Sequence, residues 1–318
     1  MARRLRVQFD GAIYHVINRG NYRRDMLETP SAFRAFRECI FEAFSRFNWR
    51  MHAFSLMINH YHLALQTPTT NLPEGMQWLQ STFATRFNRF REEKGHLFEG
   101  RYRAIVVEPG LSLARLVDYI HLNPVKAKIV SPEQVASYRW SSLHHFLKGP
   151  RPPFLACSDW LRELGLCDTP GGWNDYVKHL EKLAKDKTLL QAQGFDVMDY
   201  GWAIGTKGWR EAIAKSHEGL SLDQVSDAQA VGEFKKLQWS QAIEAALLQE
   251  GRSRTDLSRF RKGADWKIRI AEILRSTTTA TNSWIARELH MGSPSSVRQY
   301  LSDRRRGVPA YQPRRPIG

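Results

Sequence analysis

The sequence predicts an α+β protein: a ferredoxin-like βαββαβ antiparallel sheet with an added helix, followed by a mostly helical C-terminal region with a helix-turn-helix. Strand and helix patterns alternate in the order β-α-β-β-α-β-α, and the first six elements are those of a split βαβ arrangement. Farther along, a glycine-containing turn separates two helical patterns. We therefore expect a first domain over 1–148, a linker and helical region over 149–250, a helix-turn-helix domain over 251–303 and a basic tail over 304–318.

Four segments of the first domain are predicted to be strands, because each is short, rich in branched and aromatic residues, and bounded by turn signals. They are residues 12–18, 49–57, 60–67 and 101–108. Three helices are predicted over 31–47, 71–92 and 111–122, where apolar residues recur at helical spacing. The last helix is expected to stop near Asn123-Pro124, because a residue before proline avoids the α region.

The remaining chain is less informative. KGPRPPF at 148–154 is rich in proline and glycine and indicates a boundary, and residues 155–250 look helical with no assignable chemistry. Helical patterns over 264–301, interrupted by Met291-Gly292-Ser293-Pro294, predict the helix-turn-helix, although a plain helical bundle fits the same pattern. If this motif binds DNA, the candidate contacts on its last helix are Ser295, Ser296, Arg298 and Gln299.

Charge points to a polyanionic partner. The 318 residues carry a net charge of +15 and a pI of about 9.9, which favours nucleic acid over a basic but otherwise ordinary soluble enzyme. Three cysteines are too few for a disulfide framework, and the sequence shows neither a signal peptide nor a membrane span. We therefore expect a cytoplasmic, nucleoid-associated protein with no membrane partner.

Two histidines form the first candidate site. Side chains two apart in a strand share a face, so His60 and His62 project together while Tyr61 points away. Two neutral imidazoles can share a divalent cation. The pair alone also fits two polar residues on a half-exposed face of a sheet.

A tyrosine and an asparagine form the second candidate site. Tyr119 and Asn123 are four residues apart near the end of a helix and therefore share a face. The amide oxygen of asparagine is a hard ligand suited to Mg²⁺ or Mn²⁺. From periodicity alone, Tyr119 also fits an ordinary core position.

Several motifs resemble one family. The segments NHYHLALQT, GHLFEGRYRAIVVE and YIHLNPVKAKIV, in that order and spacing, resemble the REP-associated tyrosine transposases, which belong to the single-tyrosine branch of the HUH nucleases. MARRLRVQFDGAIYHVINRGN is similar to the opening of that family. The resemblance covers about residues 1–145, and WIARELHMGSPSSVRQYL is similar to helix-turn-helix extensions of some members.

The resemblance implies roles for these residues. His60 and His62 would bind a divalent metal, Mg²⁺ or Mn²⁺, and Tyr119 on the added, catalytic helix would be the nucleophile. Asn123 would supply a third ligand, where some relatives use the longer glutamine. The expected substrates are single-stranded or hairpin DNA of the REP type, cut through a covalent 5′-phosphotyrosine and rejoined. The expected assembly is a monomer or homodimer.

Basic residues near these motifs are candidate DNA contacts. Arginine alternates with an aromatic residue at 101–103, which suits phosphates beside a stacked base. Each cation can also be an ordinary solvated charge. The predicted contacts are Arg3, Arg4, Arg6, Arg19, Arg23, Arg24, Arg101, Tyr102, Arg103 and Lys126.

Other functions remain open from the sequence. The main alternative is a non-cleaving, sequence-specific DNA-binding regulator on the same fold, and a replication-initiator or relaxase-type HUH enzyme is another. An RNA-binding protein would need exposed aromatics on the central strands, where the sequence offers few. The rival nucleophiles are Tyr14, Tyr22, Tyr61 and Tyr102, and the histidines expected to serve packing or hydrogen bonding are His15, His52 and His121.

Overall fold

The structure is a computed structural model that describes residues 7–216 and 228–306. Contacts divide the described chain into two compact units, 7–210 and 211–216 with 228–306, so the division falls within one helix. Within the described ranges, none of the helices combines the length and apolar character that crossing a membrane requires.

The first unit begins with the predicted alternation of strands and helices. Its elements up to residue 126 are β1 (Ile13–Arg19), α1 (Pro30–Arg46), β2 (Arg50–Leu56), β3 (His60–Gln66), α2 (Leu72–Arg91), β4 (Arg103–Val107) and α3 (Leu111–Lys126). After them come α4 (Ser142–Leu147), α5 (Ser158–Glu163), α6 (Pro170–Lys185), α7 (Lys187–Ala192), β5 (Ala203–Ile204) and α8 (Lys207–Ser216).

The sheet has the strand order β2-β3-β1-β4-β5. The first four strands pair antiparallel, with Ile17 opposite both His62 and Arg103, so the predicted α+β fold is confirmed. The fifth strand was not predicted, because two residues are too short to show a strand pattern. It pairs parallel with β4 through Val106 and Ala203, so the sheet is mixed at this edge.

Helices α1 and α2 pack on one face of the sheet, the face that receives Tyr61. The Tyr61 ring lies 5.1 Å from that of Phe36 on α1, and the Gln80 amide on α2 donates to the Tyr61 hydroxyl at 2.9 Å. Tyr61 is fully buried there. The alternation along β3 therefore leaves His60 and His62 on the opposite face, where α3 packs.

Helix α3 is longer than the sequence predicted. It continues through Pro124 to Lys126 instead of stopping near Asn123. A proline removes one N–H from the helix, and here the loss falls in the last turn, where the following residues still close the helix. The carbonyl of Asn123 accepts from Ala127 N at 2.9 Å, and that of Pro124 accepts from Ile129 N at 2.9 Å. Asn123 consequently lies on a regular helical turn, one turn after Tyr119.

Residues 149–210 pack within the same unit as the sheet. Met51 N donates to the carbonyl of Phe154 and the Met51 carbonyl accepts from Ala156 N, both at 2.8 Å, so this stretch covers the edge of β2. On the other side, Tyr176 of α6 bonds the buried imidazole of His121 at 2.9 Å. The part of the region without assignable chemistry up to residue 210 therefore belongs to the same unit as α3.

The second unit is helical. Besides the end of α8 it contains α9 (Ala228–Gln249), α10 (Asp256–Arg259), α11 (Asp265–Thr277), α12 (Asn282–Glu288) and α13 (Pro294–Arg305). Ile270, Ile285 and Val297 lie in its hydrophobic core. The Ser293 hydroxyl accepts from Ser296 N at 3.1 Å and caps α13. The DNA-binding role of this unit remains a prediction.

Gly75 on α2 lies where a side chain does not fit. A Cβ there would be 2.2 Å from Cζ2 of Trp49, whose buried indole donates to Asn71 at 2.7 Å. We expect Gly75→Ala to lower the free energy of unfolding by about 2 kcal/mol, the usual cost of overpacking a core. Urea melts measure this, and Gly208→Ala, where a Cβ has open space, is the matched control. Equal free energies of unfolding for the two variants would show that Trp49 can move aside to accommodate the added methyl group.

His52 makes stability depend on pH. It lies at an irregularity in β2, is 1% exposed, and has its pKa lowered from 6.5 to about 4, mainly by burial. As pH falls, His52 therefore takes up a proton in the unfolded chain before it does in the folded protein. The contribution of His52 to the free energy of unfolding is fully present above about pH 6.5 and is lost as pH falls toward 4. The loss is up to about 1.4 kcal/mol per pH unit. We expect His52→Leu to reduce the fall of the urea-melt midpoint between pH 7 and 5 without removing it, because His15 and His121 are buried with lowered pKa values too. A fall as steep as that of the wild type would contradict this role.

Candidate active site

Strand β3 presents His60 and His62 on the face covered by α3. Their ring centroids are 5.2 Å apart. His62 is 2% exposed, whereas His60 is only partly buried at the end of the strand. Both line an open pocket of about 690 Å³.

Helix α3 brings Tyr119 to the same place. Its ring lies edge-on to that of His62, with centroids 5.8 Å apart. Asn123 and Lys126, one and two turns farther along the helix, line the same pocket. The imidazole pair and the phenol, 57 or more residues apart in the chain, therefore meet at one site.

The phenol of Tyr119 lies among polar side chains. Its hydroxyl donates to Asp199 Oδ2 at 2.5 Å, and Lys126 Nζ lies 3.5 Å from the Tyr119 hydroxyl oxygen. Burial raises the pKa of Tyr119 far above 10, and the negative charge of Asp199 raises it further. As it stands, the phenol is held in its protonated form, so a nucleophilic role requires activation.

His15 on β1 forms a hydrogen bond with His62. His15 Nδ1 lies 2.9 Å from the Met198 carbonyl, which can only accept, so this nitrogen carries the proton. His15 Nε2 therefore accepts from His62 Nδ1 at 3.0 Å. The lone pair of His62 is consequently left on Nε2. This hydrogen-bond chain sets the tautomer of His62 as the structure stands.

His60 is oriented in a similar way. The Asn59 amide nitrogen points to the Arg23 carbonyl at 3.5 Å, so its oxygen faces His60 Nδ1 at 2.7 Å. The Nδ1 of His60 therefore donates, and Nε2 carries the lone pair. Burial lowers the pKa of His60 and of His62, so both rings are neutral at pH 7. Neutral imidazoles with a free lone pair are suited to binding a metal.

The donor set fits a divalent cation. One ligand atom each from His15, His62 and Asp199 lies within 4.8 Å of the other two. Within the described residues, Asp199 Oδ1 is buried without a hydrogen-bond partner, 3.8 Å from His62 Nδ1. A buried carboxylate oxygen left unpaired beside imidazoles is a position that a cation would satisfy.

Residues 8–123 match the family model described as "Transposase IS200 like". The match covers a little over a third of the chain, so residues 8–123 are similar to IS200-like transposases. It includes His60, His62, Tyr119 and Asn123.

Two solved structures illustrate the similarity. One is a REP-associated tyrosine transposase bound to a REP hairpin, with 19% identity and a TM-score of 0.41, covering 50% of this chain and 93% of that chain. The other is a predicted transposase from Deinococcus radiodurans R1, with 18% identity and a TM-score of 0.28, covering 40% of this chain and 92% of that chain. No match was found among curated protein sequences.

The predicted DNA contacts of the first 126 residues lie in different surroundings. Arg19, Arg23, Arg103 and Lys126 line the pocket, and Arg101 is exposed outside it. Arg24 pairs with Glu93 away from the pocket, and Arg19 pairs with Glu99 at its edge. Arg3, Arg4 and Arg6 lie outside the described residues.

Tyr102 is not placed to stack on a base. Its side chain is 4% exposed, because it alternates to the buried face of β4 while Arg103 turns to the pocket. The accessible ring is that of Tyr200, which is 57% exposed, lines the pocket and has the Arg103 guanidinium 5.9 Å from its centroid. The expectation of base stacking by Tyr102 was therefore wrong for this structure.

The rival nucleophiles lie elsewhere. Tyr14 is buried and donates to the Val7 carbonyl at 3.1 Å, and Tyr61 lies on the opposite face of the sheet. Tyr22 is 94% exposed and does not line the pocket. Tyr119 is thus the candidate whose hydroxyl reaches the histidines' side of the sheet.

Asp199 and His15 are the site residues that the sequence analysis missed. Asp199 lies beyond the matched residues 8–123, 80 residues from its partner Tyr119, in a region without an interpretable motif. His15 was expected to serve packing or hydrogen bonding, and it does form hydrogen bonds, but its place beside His62 was not predicted. Its position on β1, two residues from the partner of His62 in the sheet, would have revealed the contact only once the strand register was known.

Proposed function

We propose that this chain is a metal-dependent, single-stranded DNA endonuclease and strand transferase that uses Tyr119 as its nucleophile. The observation that carries the proposal is the meeting of Tyr119 with His62, at a ring separation of 5.8 Å, in a pocket that also contains His60. The similarity of residues 8–123 to IS200-like transposases supports DNA processing as the function of that region. Mg²⁺ or Mn²⁺ suits a site of imidazole and oxygen ligands.

The proposed cleavage begins at the phenol oxygen of Tyr119. It attacks a DNA phosphorus, a phosphotyrosine bond forms to the 5′ side, and the bond to the 3′ oxygen breaks and leaves a 3′-hydroxyl. The phenol proton already has an acceptor in Asp199 Oδ2, from which it can be passed to the departing 3′ oxygen to give the hydroxyl. A divalent cation at His60 and His62 would neutralise charge on a non-bridging oxygen and orient the phosphate.

Rejoining follows from the covalent intermediate. The phosphotyrosine conserves the energy of the broken phosphodiester, so a second 3′-hydroxyl can attack it and release Tyr119 without ATP. Lys126 Nζ, 4.7 Å from the Tyr119 ring, would stabilise the phenolate as the leaving group. Strand transfer thus needs the same residues as cleavage.

The substrate is proposed to be a hairpin of the REP type, on the resemblance of the sequence motifs. Arg19, Arg23 and Arg103 around the pocket would hold phosphates, and Tyr200 would stack a base. Ser295, Arg298 and Gln299 are exposed on α13 and Ser296 is partly so, which suits a second contact with duplex DNA.

Trapping the covalent intermediate tests the proposal. The purified chain is incubated with end-labelled hairpins in Mg²⁺ or Mn²⁺ and analysed on denaturing gels. We expect a labelled protein band that requires the metal and DNA rather than RNA. Tight hairpin binding with no band in either metal would instead favour a non-cleaving regulator.

Salt should weaken DNA binding steeply. Each phosphate neutralised releases counterions, so log affinity for single strands should fall with log salt by about 0.7 per contact. We expect Arg23→Gln to lower this slope by about that amount, and Arg89→Gln, exposed but away from the pocket, to leave it unchanged. Fluorescence anisotropy over a salt series measures the slopes. A flat wild-type plot would rule out an interface dominated by phosphates.

A further inference from the structure

Asp199 belongs to a segment that reaches the site from outside the region similar to transposases. Residues 195–200 follow α7, far beyond the matched range of 8–123. Phe195 packs on the Tyr119 ring at 5.5 Å, and the Met198 carbonyl holds His15. Arg103 on β4 donates to the backbone carbonyl of Asp199. These contacts place the carboxylate of Asp199 between Tyr119 and His62.

The two oxygens of this carboxylate face different groups. Oδ2 accepts from the Tyr119 hydroxyl at 2.5 Å. Oδ1 is buried, 3.8 Å from His62 Nδ1, and has no hydrogen-bond partner among the described residues. Ligands of one Mg²⁺ or Mn²⁺ ion lie about 3–4 Å apart, because each is about 2.1 Å from the ion. His62 Nδ1 donates to His15 Nε2 in the structure, so sharing a cation also requires the other tautomer of His62, with its proton on Nε2 and its lone pair on Nδ1. In that tautomer, Oδ1 and Nδ1 are at the separation of two ligands sharing a cation.

Asn123 is less suited to the same position. Its amide nitrogen donates to the backbone carbonyl of Tyr119 at 3.0 Å, which turns the head group back along its own helix. An amide oxygen is also neutral, whereas a carboxylate brings a charge that compensates the cation. In a pocket lined by Arg19, Arg23, Arg103 and Lys126, that charge matters, because cations already surround the place where a metal would bind.

We propose that Asp199 is the oxygen ligand of the divalent cation at His62, in the position that the sequence assigns to Asn123. This inference rests on the proposed function. With Oδ2 on the phenol and Oδ1 on the cation, one carboxylate would link the nucleophile to the metal. The remaining positions of a six-coordinate ion would be open to His60, water and a phosphate oxygen. The later part of the chain thus completes a site that residues 8–123 begin.

Manganese binding in the absence of DNA tests the assignment without relying on activity. The full chain is titrated with Mn²⁺, and free Mn²⁺ is measured by electron paramagnetic resonance. We expect Asp199→Asn to weaken binding at least about 10-fold and Asn123→Ala to weaken it much less. Asp199→Glu should recover part of the affinity. Asp196→Asn, which removes an exposed carboxylate three residues earlier, is the matched control and should bind as wild type does.

The outcomes separate this inference from the proposed function. Wild-type affinity in Asp199→Asn, with binding lost in His62→Ala, would overturn the role of Asp199 and leave the metal-dependent nuclease intact. More adduct from Asp199→Asn at unchanged Mn²⁺ affinity would overturn it too, and would show that the carboxylate only covers Tyr119. No Mn²⁺ binding by the wild type, together with no adduct, would remove both proposals.

Discussion

Tyr119→Phe is expected to abolish the covalent protein–DNA adduct and to lower the nicking rate by at least about 10⁴-fold, the scale seen when a nucleophile is removed. The substitution deletes one oxygen atom from a ring that packs against His62 and Phe195, so the surrounding apolar contacts remain. DNA binding should change little, because the substitution removes only a hydroxyl that is hydrogen-bonded to Asp199. Single-turnover nicking and anisotropy on the same hairpin separate the two effects.

The control for this variant is Tyr22→Phe. Tyr22 is 94% exposed and, like Tyr119, lies within residues 8–123, so its hydroxyl can be removed without disturbing the core. We expect wild-type nicking from it. Adduct formation by Tyr119→Phe at more than a trace would mean that another side chain attacks the phosphate.

His62→Ala is expected to have the next largest effect. It removes the imidazole that contacts His15 at 3.0 Å, lies beside Tyr119 and faces Asp199. Loss of a metal ligand should reduce Mn²⁺ affinity and nicking by at least about 100-fold, more than the loss of a second-shell group costs. Higher Mn²⁺ concentrations should restore part of the activity, which loss of the nucleophile would not allow.

His96→Ala is the matched control for the histidine. His96 is exposed in the loop before β4 and does not line the pocket, so its removal tests for non-specific metal binding by surface imidazoles. We expect unchanged Mn²⁺ affinity and nicking. If His62→Ala behaved like this control, the cation site would lie elsewhere.

The parts of the fold that sequence predicted are those with strong local patterns. The alternation along HYHLALQ fixed which faces His60, Tyr61 and His62 take, and the structure agrees. The end of α3 was predicted wrongly because Pro124 lies in the last turn, where a missing N–H costs less than in the middle of a helix. Strand β5 was not predicted because its two residues are too few to show a strand pattern, and only their pairing with β4 makes them a strand.

The same difference separates the site residues that the sequence predicted from those that it did not. His60, His62 and Tyr119 could be found because each lies on an element with a clear period, within motifs that resemble a family. Asp199 could not, because it is set on an irregular stretch after α7 and meets Tyr119 across 80 residues. Tyr102 was predicted to stack on a base because the motif around it is basic and aromatic. That motif does not show which face of the chain at the start of β4 is buried, and Tyr102 lies on the buried face.

Identification of the residue joined to DNA tests the central claim most directly. The adduct formed in Mn²⁺ is digested with nuclease and protease, and the peptide carrying the residual nucleotide is sequenced by mass spectrometry. We predict a nucleotide on Tyr119, linked through its 5′ phosphate, formed only when the divalent metal is present. A nucleotide on any other tyrosine, or the same yield with a chelator present, would contradict the account.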